Sequence, residues 1–463
     1  MIERENIVTE GNITKALLII ALPIIISNIL QSVLEVVDMY FIGHLGQDAI
    51  AGGTMSISII MVLTTVLFGI VTATAAFISR AYGSELYERI HVILAHSLYL
   101  ALIISAIIAV IGFFWSEELL LLLGAEPGAL AEGTKFLRPM LMGLFVMIIL
   151  MTIVTAFQSS VDSRTPMYAM IAVNIVNIIL NPTLIQGVGG FPAFGIAGSA
   201  YASILSRAAG IVLLLAVIYF LPSFRNSPVR LPSSWTFEPQ LIKDIVLIAI
   251  PSASQSGVRS FGFLMMTSII TFFYGTAAVA AYGISIRLDM LGFIIVMGFC
   301  TAIAVIVGQN LGAGKVERAE LSVKYAVVIN SIFMACVAVF YYLNAEMLLT
   351  FFGAGGEGLV DGVLFMHIIP FSYFIIAAAM TLCFAMNGAG MTWPGMCSAI
   401  VGQICTQVAL SALFAYLGYP IQYIWYAIVC GSVIMCVCDY YFYRKGDWKR
   451  KKLDLGRESE IDG

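Results

Sequence analysis

Apolar residues in this chain fall in long runs separated by short polar breaks, and the runs cover residues 15–42, 49–80, 89–114, 130–158, 165–185, 195–220, 241–274, 278–308, 317–345, 358–388, 393–416 and 418–443. An α-helix needs about 20 apolar residues to cross a hydrocarbon core of roughly 30 Å, and every run reaches that length. The pattern predicts an all-α membrane protein with twelve transmembrane helices. Thr14 is expected to cap the first of them, and the acidic residues before it, with no small-residue cleavage site after, do not read as a signal peptide.

The second half repeats the first when displaced by about 229 positions, the mark of an internal repeat. LPIIIS (22–27) meets IPSASQ (250–255), and FGIVTATAAFISRAYGSELYERI (68–90) meets MGFCTAIAVIVGQNLGAGKVERA (297–319). Two six-helix lobes related by a pseudo-two-fold axis along the membrane normal follow, because an even number of helices starts both copies on one side. The Pro- and Ser-rich stretch LPSFRNSPVRLPSSW (221–235) marks the change-over. It divides the chain into an N-terminal lobe at 1–225, a cytoplasmic linker at 226–240 and a C-terminal lobe at 241–463. Two such lobes can rock about a central cleft, which suits a transporter without proving one.

Composition agrees with the pattern: 60% of residues are hydrophobic, 11% are charged and the mean hydropathy is +0.99, outside the soluble range. The net charge of −4 matters less than where the basic residues lie. With the N-terminus inside, Arg80, Arg89, Arg164, Arg225, Arg230, Lys243, Lys315, Arg318, Lys324 and the tail RKGDWKRKK all fall on the cytoplasmic side, against Lys135 and Arg138 opposite. The bias predicts a multi-pass cell-membrane protein with both termini cytoplasmic. The eight cysteines lie in the second half and read as small buried hydrophobes, and the four histidines form no metal-binding spacing. GQNLGAGK (308–315) lacks the phosphate-loop spacing, so it reads as a Gly-rich helix exit and any pumping must draw on an ion gradient.

The chemistry-bearing residues are few. Glu35 and Asp38 lie three apart near the end of the first run, about 60° apart on a helix, either as a proton or cation site or as acids solvated at headgroup level. Asn174, Asn177 and Asn181 form a stripe on the fifth span, followed by Pro182, which frees the carbonyl of Ile178. Their amides suit either ion binding or helix association. Arg207, Arg259, Arg287 and Asp289 lie inside spans, with Asp289 expected to pair with Arg259 as a structural ion pair or to bind substrate. Tyr201, Phe261, Met265, Met266, Tyr282, Met290 and Phe293 suit either an adaptable substrate cleft or a packed core. Asn387, Gln403 and Gln407 are the corresponding polar positions of the second half.

VVDMYFIGHLGQDAIAG (36–52), NIVNIILNPTLI (174–185), GIAGSAYAS (195–203) and AYGISIRLDMLGF (281–293) resemble the multidrug and toxic compound extrusion (MATE) family, in the prokaryotic branch with its ion site in the N-terminal lobe. The resemblance covers essentially the whole chain. It implies a secondary antiporter, not an enzyme, that exports amphipathic organic cations in exchange for H⁺ or Na⁺, with no other cofactor. The family's coupling carboxylate maps to Asp38, with Asn177 beside it and Na⁺ binding conceivable at both. Where the family carries Asp four residues after that Asn, this chain has Asn181, and its hydroxyl position maps to Ser203, with Ser199 as the alternative. Pro23 matches the proline about which the first helix bends. At Glu35 the family commonly has Asn, which suggests that Glu35 supplies the carboxylate lost at Asn181. Partners implied are a small organic substrate, the coupling ion and the lipid bilayer, with no nucleic acid and a monomeric state. The alternative is a flippase for a lipid-linked oligosaccharide or other amphipathic lipid.

Overall fold

The computed structural model describes residues 7–221, 228–230, 237–353 and 355–455. Arg225 and most of the expected linker at 226–240 lie outside them. The described residues contain no β-strand. The first seven long helices are α1 (Ile13–Gly43), α2 (Gln47–Gly83), α3 (Tyr87–Leu122), α4 (Pro127–Met142), α5 (Leu144–Ser159), α6 (Arg164–Gln186) and α7 (Ile196–Phe220). They are followed by α8 (Pro239–Gly312), α9 (Val316–Leu343), α10 (Ala345–Phe351), α11 (Gly356–Ile368), α12 (Tyr373–Gly388), α13 (Trp393–Ala399), α14 (Ala409–Tyr416), α15 (Gln422–Lys445) and the short α16 (Asp447–Arg450).

Among the described residues ten helical segments are long and apolar enough to span a membrane, and α4 with α5, bent by 47°, makes an eleventh. The twelfth comes from α8. Its 74 residues are broken by Gly275, whose φ of 83° and ψ of −176° no other residue type adopts readily, and which falls where the apolar pattern separates 241–274 from 278–308. The bend between α4 and α5 follows Pro139, with Gly143 at the joint, whereas the hydrophobic pattern shows one continuous run there. The eleventh run is also less regular than expected, since Ile400–Val408 forms a π-helix between α13 and α14. Its wider turn lets the Thr406 hydroxyl donate to the Val401 carbonyl five residues back, at 2.8 Å.

The chain divides into two compact units, Ile26–Leu247 with Asp454–Gly463, here unit I, and Met1–Ile25 with Ile248–Leu453, here unit II. The boundary in α1 falls three residues after Pro23.

In unit I, α2 and α4 approach until their backbones touch. A Cβ on Gly52 would lie 2.5 Å from Gly133 N, and Ser56 Oγ uses the closeness to donate to Gly133 O at 3.1 Å. Small residues at a crossing are how membrane helices gain contact without a hydrophobic driving force. At the start of α3, Arg89 grips Glu238 through two bonds of 2.8 and 2.7 Å. That fork holds the Glu238 carboxyl below the usual carboxylate range. Glu238 N–H donates to His96 Nε2 at 2.9 Å while His96 Nδ1 meets the Val92 carbonyl at 2.7 Å, so the buried imidazole is neutral with its proton on Nδ1.

Unit II is centred on aromatics. Tyr282 stacks on Trp425 with centroids 5.8 Å apart, and Phe365 meets the Trp425 ring edge-on at 5.1 Å. Gly298 lets α8 run against the backbone of Ile25, 3.2 Å from where its Cβ would stand. The residues before α1 are bolted on by Arg318, which donates to Val8 O at 2.8 Å and also to Gly11 O, and by Lys315, 3.1 Å from Glu10. Asn12, rather than the expected Thr14, caps α1, accepting Lys15 N–H on Oδ1 at 3.1 Å. Gly314, at φ 72°, makes the turn that separates α8 from α9, in keeping with the reading of GQNLGAGK as a helix exit. Of the cysteines, Cys300 and Cys383 are buried as expected, but Cys336, Cys405 and Cys430 are exposed. The pattern of apolar residues does not distinguish a helix face turned to lipid from one turned inward.

Gly52→Val tests the α2–α4 contact. The added side chain overpacks a backbone crossing, a defect of about 1–3 kcal/mol. Thermal unfolding of the detergent-purified variant should begin well below that of the parent, whereas Gly43→Val, where a Cβ meets nothing within 4 Å, should leave it unchanged.

Candidate functional site

Three helices of unit I bring a polar cluster together inside an apolar bundle. Helix α1 carries Asp38 near its end, where Ile42 packs with Ala49, Phe136, Ile196 and Ala200 into a small core and Met39 lies against it. Helix α6 carries Asn177 and Asn181 one turn apart, and α7 carries Ser203 and Arg207 one turn apart. Asn177, Asn181 and Ser203 are each at most 1% exposed.

All three donate to the one carboxylate. Asn177 Nδ2 reaches Asp38 Oδ1 at 3.0 Å, Asn181 Nδ2 reaches the same oxygen at 2.9 Å, and the Ser203 hydroxyl donates to Oδ2. Asn181 Nδ2 also lies 3.0 Å from Asn177 Oδ1, so the two amides brace each other. A carboxylate away from water costs several kcal/mol unless hydrogen bonds offset the loss. Bonds from neutral donors to a charged group contribute on the order of 1.5–3 kcal/mol each.

Arg207 completes the surroundings. It is 7% exposed, donates from Nη1 to the Ser203 carbonyl at 3.0 Å, and interacts electrostatically with Asp38 and then with Glu35. Sequence reasoning singled out Arg207 as an intramembrane charge but did not place it here. The signal was present in the spacing: Ser199, Ser203 and Arg207 recur every four residues and so share one face of α7.

Two members of the expected ion site stand apart from these bonds. Glu35 is exposed, and its carboxylate accepts from Gln31 on its own helix at 3.3 Å. The 60° turn between Glu35 and Asp38 is enough to point one outward while the other meets α6 and α7. Asn174 is buried but donates to the Met170 carbonyl of its own helix at 2.9 Å. Asn181 O and N are not equally used, since Oδ1 is buried without a partner, as is Ser199 Oγ. Pro182 sits inside α6, and the carbonyl of Asn177 one turn before Asn181 is taken by the Asn181 side chain at 3.1 Å. Pro23 lies inside α1, which runs as a single helix through it.

The expected substrate residues differ in exposure. Tyr201, Phe261 and Met265 are exposed, and Arg287 is exposed while Arg259 is half-buried. Tyr282 belongs to the aromatic core of unit II instead of a cleft, because the Trp425 and Phe263 rings cover its faces. Met266 is likewise core. Asp289 does not pair with Arg259 among the described residues; the Tyr373 hydroxyl donates to it. Among the described residues no group of three or more His, Cys, Asp and Glu side chains could hold a metal ion.

Apolar membrane-length helices among the described residues, with a donor-lined carboxylate where three of them meet in unit I, are features of a polytopic membrane protein. The MatE family profile matches residues 23–183 and again 251–413, once in each half of the chain. The chain belongs to the MATE family, whose members are transporters and not enzymes. It is 24% identical over 460 residues to the "Probable multidrug resistance protein YoeA" of Bacillus subtilis (strain 168), covering 96% of each chain. It is 25% identical over 448 residues to the "Probable multidrug resistance protein NorM" of Thermotoga maritima, covering 96% of this chain and 95% of that one. Among solved structures, "Crystal structure of MATE in the bent conformation" superposes with a TM-score of 0.88 at 21% identity, covering 96% of this chain and 98% of that one. Transporters of this fold have twelve helices in two lobes.

Asn181→Asp replaces a donor to Asp38 with an acceptor 2.9 Å away. Two carboxylates then share a site with too few donors, so the variant's melting temperature should fall as pH rises and recover when Na⁺ is added. The parent, with one carboxylate in the cluster and Asn181 as a donor to it, should show a smaller change with each than the variant. A variant melting curve indifferent to both pH and Na⁺ contradicts the cluster as described.

Proposed function

We propose that the protein is a secondary antiporter of the cell membrane that exports amphipathic, cationic organic compounds in exchange for a monovalent cation, using Asp38 as the coupling carboxylate. The observation that carries the reading is the set of three donors converging on one carboxylate across α1, α6 and α7. Such a cluster has two states of different charge held by the same residues. With Asp38 ionised, both amides and the serine hydroxyl donate to it. When a proton arrives on Oδ2, the carboxyl becomes a donor to Ser203 and the hydroxyl must turn, while the amide bonds to Oδ1 weaken for want of charge.

The same geometry favours H⁺ over Na⁺. A proton asks only the Ser203 hydroxyl to rotate, whereas Na⁺ needs oxygen ligands and so requires Asn177 and Asn181 to turn their amides over. The unpartnered Oδ1 of Asn181 is the oxygen best placed to serve if they do. Loosening of the α6 and α7 bonds frees the end of α1, and Pro23, which lacks the N–H that would tie it to Ile19, is the point at which α1 yields. Glu35, exposed one turn before Asp38, presents a negative charge to a cationic substrate, and Arg207 supplies the charge that limits how far the cluster attracts one. The cycle is alternating access, in which ion and substrate occupy the protein in turn.

The test uses inverted membrane vesicles carrying a preset proton gradient. Adding ethidium should dissipate the gradient with the parent protein and, by at least about tenfold less, with Asp38→Asn, the order of loss expected when about 1.4 kcal/mol or more of coupling is removed. Glu35→Gln should weaken ethidium transport while keeping the gradient coupling of what remains. Movement of labelled lipid with no gradient loss for any cationic dye would overturn the reading in favour of a flippase.

A further inference from the structure

The chain that follows α15 is basic and folded, and the coupling scheme above does not use it. Six cations, Arg444, Lys445, Lys449, Arg450, Lys451 and Lys452, fall within nine residues around one acid, Asp447. Gly446, at φ 81°, ends α15 in the left-handed conformation and turns the chain. Beyond it Trp448 is fully buried: its ring stacks on Tyr443 with centroids 5.1 Å apart, and its Nε1–H donates to the Tyr443 carbonyl at 3.0 Å. Lys449 Nζ donates to Glu320 Oε2 of α9 at 2.7 Å, and the Leu453 side chain lies 2.7 Å from where a Cβ on Gly390 would stand. All of these residues belong to unit II, so residues 446–453 form a strap packed on their own unit.

The strap sorts its cations. Lys449 is taken by Glu320, and Lys445 by Asp447 at 2.9 Å. Arg444, Arg450 and Lys452 are exposed and enter no ion pair among the described residues, and Lys451 is exposed beside them. The dipole of α15 favours cations in its last turn, which accounts for Arg444 and Lys445. That field fades within a turn, so it does not account for Arg450 and Lys452 beyond Gly446. Orientation bias asks only for positive charge near the end of a span, not for a segment held by a buried tryptophan.

Aromatic residues mark the depth at which these cations stand. Tyr440 and Tyr441, one turn before Arg444, are 51% and 63% exposed, and Trp393 at the head of α13, 41% exposed, meets Phe442 edge-on at 4.9 Å. Exposed Tyr and Trp at the end of a span sit at headgroup level, and Arg444 donates to the Tyr440 hydroxyl at 3.3 Å. Clusters of about four to eight Lys and Arg just outside that level attract anionic lipid.

We propose that the strap after α15 is a docking surface for anionic phospholipid headgroups of the leaflet at which α15 ends, with Arg444, Arg450 and Lys452 as its cations. The proposal does not depend on the transport reading. The test is native mass spectrometry of the detergent-purified full chain, given equal amounts of phosphatidylglycerol and phosphatidylcholine with the same acyl chains. The parent should retain phosphatidylglycerol at least about tenfold over phosphatidylcholine. Arg444→Gln, Arg450→Gln and Lys452→Gln together should lose most of that excess, whereas Arg444→Lys, Arg450→Lys and Lys452→Arg together should keep it. Equal retention of the two lipids by the parent, or an excess undiminished in the glutamine set, overturns the docking surface. Loss of the excess in the charge-keeping set overturns it as well, because the contact is with charge. Should the glutamine set fail to insert, Arg450→Gln with Lys452→Gln, which leaves the last turn of α15 intact, replaces it and is read in the same way.

Discussion

The hydrogen bonds from Asn177, Asn181 and Ser203 to Asp38 join three helices of unit I around one charge. In a bilayer there is no solvent to take their place, so the carboxylate and its donors must stay together or the charge must be removed. That constraint explains why α6 and α7 carry their amides and hydroxyl on the faces that meet the end of α1. It also makes the cluster responsive, because neutralising Asp38 changes the strength of several interhelical bonds at once.

What the cluster does is then set by how α1 is anchored. Residues up to Ile25 belong to unit II and those from Ile26 to unit I, so one continuous helix carries both the Asp38 cluster and a segment gripped elsewhere. Within unit II that segment is held closely: Gly298 admits the Ile25 backbone, and Arg318 and Lys315 bind the residues before the helix. Pro23 lies next to the boundary and weakens the helix where a change at Asp38 would have to be absorbed. The close anchoring on one side and the charge-dependent bonds on the other give α1 its proposed part in coupling.

Much of this was legible in the chain, for reasons that can be named. Run length alone locates the spans, since hydrocarbon thickness sets a minimum that soluble helices do not share, and the Gly at 275 marks the break inside α8. Asp38, Asn177 and Ser203 were identifiable from their motif context, and the structure brings them together with Asn181. The rotational setting of each helix was not legible, because hydrocarbon and protein interior are equally apolar and hydropathy does not tell one face from another. Glu35 and Asn174 therefore make their side-chain bonds on their own helices, Asp289 takes a hydrogen bond from Tyr373 instead of meeting Arg259, and Tyr282 is core. Local backbone irregularity was less legible: the π-helix at Ile400–Val408 carries no Gly or Pro break beyond Gly402, and at the 47° bend Pro139 and Gly143 lie inside a run long enough to read as one span.

The most direct measurement of the central claim is proton release from purified protein in weakly buffered detergent as ethidium is titrated in. If substrate and proton exchange at Asp38, binding releases protons in proportion to bound dye, and Asp38→Asn still binds dye but releases far fewer. Dye binding by the parent without proton release, or release undiminished in Asp38→Asn, would contradict Asp38 as the coupling carboxylate.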